Sequence, residues 1–141
     1  MGDFHHQMAI SNDLAHLAQV REVVSRAVLE GGFPNQFVNR LQIAVDEAVT
    51  NIMEHGYSGQ AVGSGEITIR IDASKERFRI EILDDGASFD PTAMSDVDIA
   101  AHIARGTSGG LGVFLMRKIM DVVDYHFETG RPNRLVLVKN R

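Results

Sequence analysis

The sequence contains no cysteine. Disulfide scaffolds, Cys-ligated zinc, iron–sulfur clusters and thiol nucleophiles are excluded together, and the absence suits a reducing compartment. Any chemistry has to come from oxygen and nitrogen groups. Proline is scarce, at 3 of 141 residues, and no Pro/Ser-rich linker, internal repeat or low-complexity tract divides the chain. One folding unit over residues 1–141 is expected. No apolar run approaches the roughly 18 residues that a bilayer span needs. Asp3, His5 and His6 stand where a signal peptide would carry a basic start and an apolar stretch, so a cytoplasmic location is expected and no membrane association. Basic charge is also short: 14 Lys plus Arg face 19 Asp plus Glu, a net of −5, which gives no electrostatic drive toward nucleic acid.

What is present is the composition of a globule, with 44% hydrophobic and 23% charged residues. A domain of this size hides roughly two thirds of its unfolded surface, enough for a sizeable core. Phe4 to Ile10 is short and ambiguous, and reads as an edge strand because Ser11-Asn12-Asp13, good helix N-caps, follow at once. Leu14, Leu17, Val20 or Arg21, Val24 and Val28 then recur at helical spacing until Gly31-Gly32. Pro34 at a first-turn position restarts the pattern. From there to His55, Phe37 or Val38, Leu41, Val45, Ala48 and Ile52 fall on one face of a second helix.

After a glycine-rich loop, Ile67, Ile69 and Ile71 alternate with polar residues as a strand, and Phe78, Ile80 and Ile82 do the same across a hairpin-length turn. Residues 87–110 lose the pattern apart from a possible short helix around Val97 to Ala104, and irregular chain of that length is usually functional. A third helix from about Leu111 to Met120 and two strands, Val122 to Glu128 and Arg134 to Lys139, complete the chain, joined by a turn holding Gly130, Pro132 and Asn133. The order β-α-α-β-β-loop-α-β-β predicts an α+β, two-layer sandwich: a mixed sheet of about five strands with three to four helices on one face.

Three segments carry candidate chemistry. Glu47, Asn51 and His55 stand at i, i+4 and i+8 on the second helix, a polar stripe that is either a solvated flank or one wall of a site. Asn is a poor helix former that competes for backbone hydrogen bonds, so Asn51 in the best-patterned helix needs a reason. An amide oxygen with a carboxylate one turn away suits Mg²⁺, which takes few protein ligands and completes its octahedron with waters and phosphate oxygens. Glu47 could instead stay off the metal and act as a general base.

Gly106-Thr107-Ser108-Gly109-Gly110-Leu111-Gly112 is a glycine-dense turn opening a helix, whose bare N–H groups suit an anion. It is neither a Walker A loop, for want of Lys-Ser/Thr, nor a dinucleotide fingerprint. Asp84-Asp85-Gly86 ends a hydrophobic strand and reads either as a plain Asp-Gly turn or as a carboxylate aimed into a pocket, with Gly86 letting a flat ligand approach. His5, His6, His16, His102 and His126 are scattered without metal-ligand spacing.

In this order and spacing, the three segments resemble the GHKL (Bergerat-fold) nucleotide-binding domain shared by gyrase, a heat-shock chaperone class, histidine kinases and mismatch-repair ATPases. More narrowly, Ala44-Val45-Asp46-Glu47-Ala48-Val49-Thr50-Asn51, followed by His55-Gly56-Tyr57, is similar to the bacterial anti-sigma-factor serine/threonine kinases of partner-switching pathways. The resemblance covers nearly the whole chain. It implies Asn51 as the Mg²⁺ ligand, Glu47 as the base that activates the acceptor hydroxyl, Asp84 as acceptor for the adenine amino group, and Gly86 as the glycine beneath the base. It further implies a phosphate-holding box, with Gly109, Gly110 and Gly112 at its centre and Thr107, Ser108 and Leu111 beside them. An ATP lid at about residues 92–108 and His55 near the phosphates complete the implied site.

One departure stands out: many relatives have a second glycine two residues after the first, where this chain has Ser88. Phe89-Asp90-Pro91 follows it, a continuation familiar in the anti-sigma branch. The implied activity is ATP-dependent phosphorylation of a STAS-domain anti-anti-sigma partner, with a sigma factor or equivalent client held in exchange and Arg21 at a partner-contact position. A homodimer is implied by the family alone. The competing readings are a nucleotide-dependent binding module that transfers nothing, and a metal-dependent hydrolase using Asp84, Asp85, Asp90, Asp96 and Asp98.

Overall fold

The structure is a computed structural model and describes residues 3–88 and 115–141. Strand β1 (Phe4–Ser11) leads to Asp13, whose carboxylate accepts the Ala15 N–H at 2.9 Å and so caps a single 3₁₀ turn, Leu14–His16. Helix α1 (Leu17–Gly31) follows and stops where Gly32 takes a left-handed φ of 78°. Its buried residues are Leu17, Val20, Val23, Val24, Ala27, Val28 and Gly31, so Val20 faces inward and Arg21 outward. Leu14, expected on the buried face, is 56% exposed. It lies in the tighter 3₁₀ turn, where the α-helical spacing does not apply.

Beyond Pro34, one 3₁₀ turn (Asn35–Phe37) opens helix α2 (Val38–Asn51), which buries Leu41, Ala44, Val45, Ala48, Val49 and Asn51. The expected uninterrupted helix to His55 changes pitch: Ile52–Gly56 form a π-helical turn. Such turns spread more residues over each revolution and cluster at functional sites.

Strands β2 (Glu66–Ala73) and β3 (Arg77–Asp84) form the expected hairpin. A helix α3, described over residues 115–119, precedes β4 (Val122–His126) and β5 (Asn133–Asn140). The first part of the expected third helix, residues 111–114, and the possible helix at Val97 to Ala104 lie outside the described residues. The five-stranded sheet has the order β1-β2-β3-β5-β4, with β1 on an edge as expected.

A mixed sheet was expected, but all four described pairings are antiparallel. Two helices carry the chain away from the end of β1 and back again, so β2 starts beside it, with Glu66 opposite Ser11. The crossover after β3 does set β4 in the same direction as β3, but β5 inserts between them and removes the parallel contact.

Alternation places Ile67, Ile69, Ile71, Phe78, Ile80, Ile82, Leu135 and Leu137 in one core with the apolar faces of α1 and α2. The other sheet face carries a polar cluster centred on Glu81, which is only 6% exposed. Its carboxylate accepts from Arg70 Nη1 at 2.9 Å, Arg134 Nε at 2.9 Å and Arg79 Nη2 at 3.4 Å. Burial pushes the Glu81 carboxyl up, and the guanidiniums of Arg134, Arg70 and Arg79 outweigh it, leaving the group below its ordinary value. A depressed carboxylate contributes stability above its unfolded value and loses it as pH falls through the folded one. We therefore expect Glu81→Gln to cost about 1–3 kcal/mol at neutral pH. In urea melts of the two proteins, that difference should shrink as pH drops below 4.5, the ordinary glutamate value.

Candidate functional site

The site is built where the end of α2 meets the end of β3. Asn51, the last residue of α2, is 4% exposed, and its Nδ2 is buried without a hydrogen-bond partner among the described residues. A buried amide left unsatisfied is unusual and marks a group available to something other than the fold. Glu47, one turn earlier, is half-buried; burial pushes its carboxyl above the ordinary value, and the nearby charges of Asp46 and Glu54 add to that. His55, the third member of the expected stripe, is exposed. The π turn begins after Asn51, so the spacing of four no longer stacks His55 above it.

The π turn ends on Gly56, and there the two halves of the site touch through backbone. Ala87 N–H donates to the Gly56 carbonyl at 2.7 Å. A Cβ on Gly86 would lie 2.5 Å from that same oxygen, and one on Gly56 would lie 3.6 Å from Asp84 Oδ1. The sequence reading kept Gly86 small for a ligand; the fold supplies a second reason, since any side chain there would drive the helix end away from the turn. Tyr57 pins the same junction. Its hydroxyl donates to the Glu66 carbonyl at 3.2 Å and accepts from Asp85 N–H at 3.1 Å, while its ring occupies the space above Gly65. Asp85 itself is exposed, which separates the roles of the two aspartates.

Asp84 is 4% exposed at the last position of β3. Its Oδ1 accepts from Gly86 N–H at 2.9 Å and from Asn133 Nδ2 at 3.0 Å, and Oδ2 has no partner among the described residues. Burial pushes this carboxyl above its ordinary value, and the Asn133 and Gly86 donors reduce that rise without cancelling it. Sequence reasoning missed Asn133 by assigning it to the turn with Gly130 and Pro132. It is the first residue of β5, opposite Asp84 in register and 5% exposed. The signal was available: the inward alternation of Leu135 and Leu137, carried back two residues, puts Asn133 on the core face.

The glycine-box residues Thr107, Ser108, Gly109, Gly110, Leu111 and Gly112 lie outside the described residues, as do the lid at 92–108 and Asp90, Asp96 and Asp98. No group of three or more His, Asp or Glu among the described residues could hold a metal. A hard cation that needs few protein ligands could draw on the Asn51 side-chain oxygen and the Glu47 carboxylate a turn away, whereas the orphaned Asn51 Nδ2 is a donor and suits an acceptor such as a phosphate oxygen or a water.

A model of the histidine kinase-like ATPase domain matches residues 10–139. The chain belongs to this family. Curated relatives place it in the serine-protein kinase branch. It is 30% identical over 129 residues to the serine-protein kinase RsbW of Bacillus pumilus, covering 88% of this chain and 79% of the relative. It is 32% identical over 112 residues to the RsbW of Listeria monocytogenes serovar 1/2a, covering 77% and 68%. Among solved structures, the histidine kinase domain of the Erythrobacter litoralis EL346 blue-light activated histidine kinase superposes with a TM-score of 0.54 at 18% identity. That match covers 93% of this chain and 61% of the other, and shows the shared fold.

As a histidine kinase-like ATPase domain of the kinase branch, the protein uses ATP, and the Gly56–Gly86 junction holds its helix and strand ends together. Gly86→Ala is therefore expected to cost about 1–3 kcal/mol in urea unfolding, the range for forcing a methyl into a packed site. Asp85→Ala, beside it but exposed, should stay within about 0.5 kcal/mol of the parent.

Proposed function

We propose that the protein is an anti-sigma-factor-type serine/threonine kinase. It binds Mg-ATP, transfers the γ-phosphoryl group to a Ser or Thr of a STAS-domain anti-anti-sigma partner, and holds a sigma factor or equivalent client when that antagonist is phosphorylated. The observation that carries the reading is the backbone contact of Gly56 with Gly86 and Ala87, which sets Glu47 and Asn51 on one side of a junction and Asp84 on the other.

Asp84 Oδ2 would accept from the purine amino group, with Gly86 and Gly56 beside the base. Glu47 would take the proton of the acceptor hydroxyl as its oxygen bonds to the γ-phosphorus and the bond to the ADP oxygen breaks. Its raised basicity suits that role, because a carboxylate held above its ordinary value is a better proton acceptor. Asn51 would hold the Mg²⁺, which when bound neutralises charge on the phosphates. The residues Thr107, Ser108, Gly109, Gly110, Leu111 and Gly112 are assigned to the phosphates, and His55 to their vicinity, by the resemblance. Arg21, half-exposed on α1 and paired with Asp46 at 2.7 Å, is assigned to the partner surface. A homodimer and a cytoplasmic location belong to the same reading; no helix among the described residues is long and apolar enough to cross a membrane.

Incubation with γ-labelled ATP and candidate STAS proteins tests the reading. Glu47→Ala should lower transfer by about 100-fold or more while ATP binding persists. Because the Glu47 carboxyl is raised, wild-type transfer should fall with acidification through a pH above 4.5, the value for an unperturbed glutamate, as the base becomes protonated. ATP binding with no transfer to any candidate would instead indicate a nucleotide-dependent binding module.

A further inference from the structure

Asn133 has every amide proton engaged. Nδ2 donates to Asp84 Oδ1 at 3.0 Å and to the Gly86 carbonyl at 2.8 Å, and Oδ1 accepts from the Ser88 hydroxyl at 3.0 Å. The amide cannot turn over, since its oxygen would then face a carboxylate oxygen and a carbonyl oxygen, both acceptors. Neither Asn133 nor Ser88 is one of the residues that the family resemblance assigns to the site. Ser88 is the position where the sequence departs from the glycine of many relatives.

The consequence falls on Asp84. Two N–H groups, from Gly86 and Asn133, converge on Oδ1, so a proton has no place on that oxygen. Burial of Asp84 favours its neutral form and leaves the carboxyl above its ordinary value; these two donors favour the ionised form and limit that rise. If the neutral form won, the proton would sit on Oδ2, and the site would offer a donor. In the ionised form, which the two donors favour, Oδ2 is an acceptor only. An acceptor there matches a 6-amino purine and repels a 6-oxo purine, whose exocyclic oxygen is itself an acceptor.

We propose that Ser88 and Asn133 are positioning residues for base selectivity: Ser88 orients the Asn133 amide, and Asn133 holds Asp84 as an acceptor for a 6-amino purine and against a 6-oxo purine. The proposal rests on the assignment of Asp84 to the base. Its chemistry is local: no group other than Asp84 need contact the nucleotide for Asn133 to act through it.

The test compares dissociation constants for ATP and inosine triphosphate, which differ at the 6-position, by nucleotide titration of the full chain. Asn133→Ala should lower the ATP preference by about 3- to 10-fold, the range for one lost hydrogen bond. Asn133→Asp keeps the shape but sets a second carboxyl against Asp84, so one proton is shared between them; the preference should fall by about 10-fold or more. Ser88→Ala, an exposed position, should lower it by roughly 2- to 5-fold with the melting temperature little changed. A purely structural role would weaken both nucleotides alike and leave their ratio unmoved. An unchanged ratio in soluble, folded Asn133→Ala and Asn133→Asp overturns the inference. Should either fail to fold, an unchanged ratio in Ser88→Ala overturns it. The underlying assignment fails separately, and the inference with it, if Asp84→Ala binds ATP with the wild-type affinity and preference.

Discussion

The described part of the candidate site depends on one close approach: the carbonyl of Gly56 against the backbone of Gly86 and Ala87. Everything on α2 is positioned by the helix and everything at Asp84 by the sheet, and these are separate layers of the fold. The layers meet at many apolar contacts, but those fix only a packing distance. The junction fixes which end of the helix faces which end of the strand, through the 2.7 Å hydrogen bond from Ala87 N–H to the Gly56 carbonyl, which a Cβ on Gly86 would approach to 2.5 Å. Tyr57 reinforces it from the loop side by bonding both to Glu66 on β2 and to Asp85 just beyond β3.

Much of this fold is legible locally. Asp13 caps the 3₁₀ turn that leads into α1 and Gly32 ends that helix as a left-handed glycine should, and the alternation through Ile67, Ile69 and Ile71 gives β2 and its inward face directly. The polar stripe through Glu47 and Asn51 is legible for a different reason: Asn51 conflicts with helix propensity, and conflicts of that kind concentrate where a residue serves something besides the fold. The rest depends on which distant segments meet. Strand direction follows from where two helices return the chain, which the residues of β1 and β2 do not encode. The π turn after Asn51 ends on the Gly56 that meets the chain just beyond β3, and no spacing within Ile52–Gly56 announces it. Asn133 reads as a turn residue until Asp84 is known to lie opposite it.

Buried polar groups divide into two kinds here. Glu81, on the far face of the sheet, is fully answered by Arg70, Arg79 and Arg134, and its work is to order that face. Asn51 and Asp84, on the near side, are answered only in part: one amide nitrogen and one carboxylate oxygen have no described partner.

The insertion of β5 between β3 and β4 also orders the assembly of the molecule in time. β4 has no hydrogen-bonding neighbour until the strand after it has docked, and β3 presents an open edge until then. Non-local pairings of this kind form late, because a loop must close before the contacts reward it. Asn133 arrives on that same strand. The carboxylate of Asp84 therefore gains its second donor only when β5 has paired with β3, so a partly folded chain would hold the helix, the glycines and the aspartate with that carboxylate held by Gly86 alone.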